Sequence, residues 1–130
     1  MPLKYHLIQR VNPRNPEAPR KFYAKAIKRS NISLRQLAKE IAQISTVSTV
    51  DSIAVIEALL QLIPDHITQG DFVRLGDFGS FYIGLNSEGV EQENEFSADM
   101  IKSVKIYFRP GKELKKIVDD TEFEKSAKMF

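Results

Sequence analysis

A cluster of basic side chains near the C-terminal end of this sequence has the chemistry to bind phosphate groups. It contains Lys105, Arg109, Lys112, Lys115 and Lys116. Ammonium and guanidinium groups bind the phosphates of a nucleic-acid backbone through their charge, without distinguishing one base from another. The cluster therefore predicts a polyanionic partner and an affinity that falls steeply as salt is added.

The charges of the whole chain are strongly segregated, although the formal net charge is only +2. Residues 1–39 contain ten Lys and Arg and a single acidic residue, whereas residues 40–99 contain one Arg and eleven Asp and Glu. Residues 100–130 contain eight basic and five acidic side chains. A fold that joins the two basic segments would form one surface for a polyanion, and a fold that separates them would leave two solvated faces. The charge pattern does not choose between these alternatives.

No arrangement of residues typical of an enzyme stands out. The chain has no cysteine, and its two histidines, His6 and His66, lie far apart without the spacing of metal ligands, so we expect surface or edge positions for them. We predict no catalytic residue, no metal site, no cofactor and no small-molecule substrate. The length suits one domain, and neither a membrane-spanning run nor a signal peptide is found. These features favour a cytoplasmic protein.

Two short segments near the N-terminus, at residues 5–11 and 21–27, have the composition of β-strands. The segment between them contains three prolines in residues 12–19, and proline cannot donate to a strand ladder. We therefore predict a hairpin with a stiff connecting loop. Residues 1–32 are assigned to this N-terminal extension.

Two helices are predicted next, each beginning at a serine. Ser33 has the setting of an N-cap for a helix over residues 34–43. Ser48 begins a second helix that should end near Gly70. Pro64 lies inside this second helix, where it removes one backbone hydrogen bond, so we expect a kink or a split.

The second helix is apolar over so much of its circumference that it should be buried on more than one side. In a chain of this size, that pattern predicts a partner subunit, either an identical chain or a related one. The alternative is that the N-terminal hairpin covers the second apolar face. The residues assigned to the subunit interface are Ile56, Leu59, Leu60 and Ile63 of this helix, together with Phe78, Phe81 and Phe108.

The second half of the chain reads as a small sheet followed by a helix. Strands are predicted at residues 72–75, 80–85 and 104–108, and a short helix at residues 112–118. Residues 86–95 contain four glutamates and neither a basic residue nor a proline, so they are predicted to form a loop or a mobile ribbon. The tail, residues 119–130, has no assigned structure.

Two motifs of this half resemble a known family. Phe78-Gly79-Ser80-Phe81 and Phe108-Arg109-Pro110-Gly111-Lys112, in this order and separation, resemble the bacterial HU/IHF family of small DNA-bending proteins. The resemblance covers residues 33–118, and the N-terminal hairpin is similar to an extended, HU-HIG-like branch. It implies an α+β fold and an intertwined homodimer. Each chain would contribute a helical hairpin, an antiparallel sheet with a ribbon arm and a short C-terminal helix.

The resemblance also implies a function, which is duplex DNA binding without sequence specificity by a nucleoid-associated, histone-like protein. In that family, paired arms lie in the minor groove, and a proline at each tip wedges between base steps. The Gly79-Ser80 turn would offer backbone donors and a hydroxyl to a phosphate. The residues assigned to DNA are Arg14, Asn15, Pro16, Arg20, Lys21, Gly79, Ser80, Lys105, Arg109, Lys112, Lys115 and Lys116.

The predicted arm departs from the family pattern. Phosphates would repel the acidic segment 86–95, and Asp77 stands where the family usually has glycine. Arg14-Asn15-Pro16 repeats the family's arm-tip tripeptide, so one hypothesis makes the N-terminal hairpin the DNA-contacting arm, with Pro13 or Pro16 as its wedge. The alternative is a proline-stiffened turn on a basic strand pair. Two other functions stay open: a dimeric protein-interaction or scaffolding module with weak or no DNA binding, and an RNA-binding protein.

Overall fold

The computed structural model describes residues 2–126 of the chain. They form two compact units rather than the single domain expected from the chain length. One unit combines residues 2–31 with residues 117–126, and the other is Ile32–Lys116. The chain divides in this way because its last strand returns to pair with its first. No helix within residues 2–126 is long and apolar enough to cross a membrane.

The first unit is a three-stranded sheet with the strand order β2-β1-β6. Strands β1 (Leu3–Arg10) and β2 (Lys21–Ala26) form the antiparallel hairpin that the sequence predicts. Strand β6 (Phe123–Lys125) pairs in parallel with β1 on its other side. Part of the tail that the sequence left unassigned therefore belongs to this sheet, and residues 127–130 lie outside the described residues.

The sheet explains why the surface or edge position expected for His6 was wrong. His6 is buried, and its Nδ1 has no hydrogen-bond partner among the described residues. Because β6 pairs with β1, the strand that carries His6 is the central strand of the sheet and not an edge strand. His66, by contrast, is exposed, and its Nδ1 lies 2.9 Å from the Asp71 carboxylate.

The second unit begins with the helical hairpin formed by α1 (Leu34–Ile44) and α2 (Thr49–Thr68). Both predicted serine caps are present: the Ser33 hydroxyl accepts the Gln36 backbone N–H at 3.1 Å, and the Ser48 hydroxyl accepts that of Asp51 at 3.1 Å. These bonds satisfy backbone donors that have no partner within the helix. They explain why both helices begin where the sequence places them.

Helix α2 is not split at Pro64, contrary to one of the two outcomes expected for that residue. It continues as one 20-residue helix, because one missing hydrogen bond leaves the rest of the ladder intact. The helix ends at Thr68, near Gly70 as predicted, and the φ of 91° at Gly70 is one that glycine adopts without strain. There the backbone N–H groups of Gly70 and Asp71 donate to the carbonyls of Ile67 and His66, as in a Schellman motif.

A second sheet follows, with the strand order β3-β4-β5. Its strands are β3 (Val73–Arg74), β4 (Gly79–Ser87) and β5 (Ile101–Pro110). Because β3 pairs with only two residues of β4, the outer parts of β4 and β5 continue alone as a two-stranded ribbon. The connection between them contains two short 3-10 turns, Glu93–Glu95 and Ala98–Met100. Beyond Ser87 the acidic segment is thus a loop.

The last helix, α3 (Lys112–Asp119), begins directly after β5. The corner before it packs closely against the turn that precedes β4. The backbone N–H of Gly111 donates to the Phe78 carbonyl at 2.9 Å, and a Cβ on Gly111 would overlap the Asp77 carbonyl oxygen. Glycine at this position therefore permits the close packing of this corner.

Candidate nucleic-acid interface

The β3-β4-β5 sheet has one polar face and one apolar face. Side chains alternate along a strand, and directly opposed residues lie on the same face. The cross-strand pairs on the polar face are Arg74 with Ser80, Ser80 with Arg109, Tyr82 with Tyr107, and Gly84 with Lys105. Three basic side chains therefore share one face of a small sheet.

Two of the residues assigned to DNA from the sequence meet at this sheet. Arg109 lies opposite Ser80, which is half-buried, and the Arg109 Cζ lies 5.6 Å from the centre of the Tyr82 ring. Gly79 is buried, and a Cβ there would lie 2.5 Å from the Phe108 ring. At this corner the polar side chains therefore come from Ser80, Arg109 and the exposed Asp77, and Gly79 adds none.

Helix α3 adds a second group of charges next to Arg109. Lys112, Lys115 and Lys116 are exposed and follow the spacing that places side chains on one side of a helix. The Gly111 corner joins this helix directly to the end of β5. Arg109 and the three lysines are thus brought together by one short, well-fixed segment.

The opposite face of the sheet is apolar. The Phe81 and Phe108 rings lie 4.8 Å apart between centres, and Phe78 and Phe108 lie 5.8 Å apart. Further along the ribbon, Ile83 and Ile106 are directly opposed on this face. The exposed fraction is still 44% for Phe78 and 39% for Phe108, so this face is incompletely covered within one chain.

The predicted interface residues of α2 are also poorly covered. Leu60 is 55% exposed and Leu59 is exposed, while Ile56 and Ile63 are half-buried. Among the described residues, only two hydrophobic side chains are buried, those of Ala38 and Ile67. A unit of this size needs a larger buried core to be stable.

The N-terminal hairpin has its own basic face. On one side of the sheet Arg10 is directly opposed to Lys21, and Lys25 lies further along the same side. The Arg10 Cζ lies 6.0 Å from the centre of the Tyr23 ring. The loop residues assigned to DNA, Arg14, Asn15, Pro16 and Arg20, are exposed.

These basic groups form no close ion pair within the described part of the chain. Over residues 2–126, no Lys or Arg lies within 4.0 Å of a carboxylate oxygen, and the single close pair of this type involves His66. The acidic loop residues Glu88, Glu91, Glu93 and Glu95 are likewise exposed. Within residues 2–126, no group of His, Asp and Glu could hold a metal ion. The arrangement can bind phosphates by charge.

The sequence reasoning missed part of this face. Phe72, Arg74, Tyr82 and Tyr107 were placed in strands but were given no role. The alternation within each strand indicates which of its residues share a face. The register that brings Tyr82 and Tyr107 together joins residues distant in the chain, and no local signal specifies it.

Comparison with known structures agrees with this fold. A structure titled "Putative bacterial DNA binding protein" from Bacteroides vulgatus matches 98% of this chain with a TM-score of 0.64 and 17% identity. This chain spans about half of that structure's length, 51%. HU from Anabaena, in a cocrystal with DNA, matches 68% of this chain and 98% of its own chain, with a TM-score of 0.54 and 22% identity. The fold is therefore the α+β fold of HU-like proteins.

Comparison with protein families gives a more specific assignment than the fold. Residues 1–125 match the HU-HIG family, described as an HU domain fused to wHTH, Ig, or glycine-rich motif. The chain belongs to the HU-HIG family, as the motifs around Gly79 and Gly111 and the N-terminal hairpin indicate. No curated protein matches the sequence.

Proposed function

We propose that this chain is a nucleoid-associated architectural protein that binds duplex DNA in the bacterial cytoplasm with little sequence preference. The feature that carries the proposal is the group of basic side chains at the end of β5 and on α3, namely Arg109, Lys112, Lys115 and Lys116, with Lys105 and Arg74 on the adjoining sheet face. Such groups bind phosphates without reading bases. The solved HU–DNA complex of the same fold supports DNA as the ligand.

The DNA-binding form would be a homodimer. Two apolar surfaces of Ile32–Lys116 are exposed in the single chain: the α2 stripe around Leu60 and the sheet face around Phe108. Burying one large apolar side chain contributes about 1.5–3 kcal/mol, so covering both surfaces would supply the stability that the small core lacks. A second copy would cover the same residues on both chains, because a two-fold interface uses the same surface on both sides.

The acidic loop is a poor candidate for a minor-groove arm. Its four glutamates are exposed, and neither a basic residue nor a proline lies within residues 86–95. The wedging mechanism of the HU/IHF family therefore has no chemical basis at this place. The acidic loop instead supports the second candidate function, a dimeric protein-interaction or scaffolding module with weak or no DNA binding.

Salt-dependent binding tests the proposed function. If roughly six to ten phosphates are contacted by the dimer, the affinity for duplex DNA should fall roughly 1,000-fold to 100,000-fold between about 50 and 200 mM salt, with a slope between about −5 and −9 for log affinity against log salt. Fluorescence anisotropy with labelled DNA of two unrelated sequences measures both the slope and the sequence preference. A slope near zero, or no binding at the lowest salt, favours the scaffolding function. Stronger binding to duplex RNA than to duplex DNA favours an RNA partner.

We further propose that the N-terminal hairpin contacts DNA as a replacement arm. Its tip carries Arg14-Asn15-Pro16, and its basic face includes Arg10 and Lys21. Replacing Arg14, Arg20 and Lys21 together by Glu should lower duplex affinity at low salt by at least roughly tenfold, because three phosphate contacts per chain are lost. A variant with Arg14, Arg20 and Lys21 replaced by Gln separates lost attraction from added repulsion. Unchanged duplex affinity in the Glu variant would leave the hairpin as a stiff surface element.

A further inference from the structure

Three aromatic rings form a row on the polar face of the β3-β4-β5 sheet. The Phe72 and Tyr82 rings are stacked with their centres 4.9 Å apart and their planes inclined by 13°. Tyr82 and Tyr107 are stacked at 5.3 Å and 20°. The outer rings of the row are open to solvent, with exposed fractions of 54% for Phe72 and 43% for Tyr107.

A glycine makes room for one end of this row. Gly84 is directly opposed to Lys105 and lies two residues from Tyr82 on the same face. A Cβ at Gly84 would lie 2.5 Å from Cε2 of Tyr107, so the Tyr107 ring lies over the bare backbone at this position. The Tyr107 ring thus packs against the backbone of the sheet, and part of its surface is exposed to solvent.

Positive charge surrounds the aromatic row. Arg109 lies over the Tyr82 ring, and Lys105 precedes Tyr107 by two residues on the same face. Neither forms an ion pair with a carboxylate of residues 2–126. Aromatic rings flanked by basic groups bind unpaired bases, because every base has a flat face that can stack and each nucleotide brings a phosphate. Paired bases inside a duplex have no such face available.

We propose that this aromatic row, Phe72, Tyr82 and Tyr107, binds the unpaired bases of single-stranded DNA. A base would stack on the open surface of Tyr107 or Phe72, and Lys105 and Arg109 would hold the neighbouring phosphates. The proposal rests on the DNA-binding function proposed above for the charge that attracts the strand. It adds a second ligand, the unpaired base, which phosphate contacts alone do not recognise.

The test compares two single strands that carry the same charge. One is a dT oligonucleotide of about 16 nucleotides, and the other is an abasic oligonucleotide of equal length. The wild-type protein should bind the dT strand at least about tenfold more tightly than the abasic strand, because stacking occurs only with the first. Phe72→Leu, Tyr82→Leu and Tyr107→Leu together should abolish this difference, whereas Tyr107→Phe combined with Tyr82→Phe should retain it. A labelled duplex measures the charge contribution in every variant.

Each outcome bears on a different claim. If duplex DNA binds but the dT and abasic strands bind equally, the stacking proposal fails and the proposed duplex binding stands. If the Leu variant keeps the preference for dT while its duplex affinity is unchanged, the rings do not bind bases and the proposal also fails. If no DNA binds at any salt, both claims are wrong. Thermal melting of the Leu and Phe variants shows whether a loss of binding is only a loss of folding.

Discussion

Leu60→Lys should convert the protein from a dimer into a chain that no longer associates at micromolar concentration. Leu60 is 55% exposed in the single chain, and the proposed interface buries it in both copies. Losing the burial of two leucines removes about 3–6 kcal/mol, and desolvating two ammonium groups adds to this. The dimer dissociation constant should therefore rise by at least about 100-fold to 10,000-fold. Sedimentation equilibrium measures the mass, which should fall from twice 14.8 kDa towards 14.8 kDa.

A matched control is available on the same helix. Gln61 is exposed and points away from the stripe that contains Leu60 and Ile63, so Gln61→Lys adds the same charge at a position outside the proposed interface. This variant should remain a dimer with an unchanged melting temperature. Leu60→Lys should also lose its cooperative melting, because few hydrophobic side chains are buried within one chain. A Leu60→Lys protein that is still dimeric and stable would exclude α2 from the interface.

Reversing two charges on α3 should nearly abolish duplex binding. In a dimer, Lys112→Glu with Lys116→Glu removes four phosphate contacts and introduces four repulsive carboxylates. We expect the affinity at about 100 mM salt to fall by at least roughly 100-fold. The slope of log affinity against log salt should become flatter by about 3–4, since each lost phosphate contact reduces it by about one. Anisotropy titrations with one duplex at several salt concentrations measure both quantities.

The control for this change lies on helix α1. Arg35→Glu with Lys39→Glu alters the net charge by the same amount, at two exposed positions with the same four-residue spacing. If the bound surface is local, this control should change the duplex affinity by no more than about threefold and should leave the salt slope almost unchanged. Equal losses in the two variants would mean that overall charge governs binding and not the α3 surface.

Folding should not obscure the α3 result. Lys112 is the first residue of its helix, where a negative side chain is stabilising because of the helix dipole, whereas Glu at position 116, in the last turn, is mildly destabilising. The two effects are each a few tenths of a kcal/mol to about 1 kcal/mol and oppose one another. The double variant should therefore melt close to the wild-type temperature.

The two experiments address separate links in the proposed function. The Leu60 variant tests whether two chains associate, and the α3 variant tests whether the basic surface binds DNA. A dimer that lacks salt-dependent DNA binding would match the scaffolding alternative, for which the acidic loop around Glu91 and Glu93 is the supporting feature. A monomer that binds DNA would require another explanation for the exposed α2 stripe.

The sequence by itself determined the parts of this protein that depend on neighbouring residues. The starts of α1 and α2 follow from the hydroxyls of Ser33 and Ser48, and the end of α2 follows from Gly70, since each cap bonds to backbone within a few positions. The family motifs around Gly79 and Gly111 are local in the same sense. They were sufficient to predict an HU-like fold.

Only the tertiary structure decided which distant residues meet. The return of β6 to β1 made the strand of His6 the central strand, and the imidazole is buried, although nothing near His6 in the chain predicts either. The register of β4 with β5 assembled Tyr82, Tyr107 and Arg109 on one polar face. Strand pairing depends on contacts between residues far apart in the chain, whereas helix caps depend on residues a few positions apart. For that physical reason the helices could be read from the sequence, and the aromatic row could not.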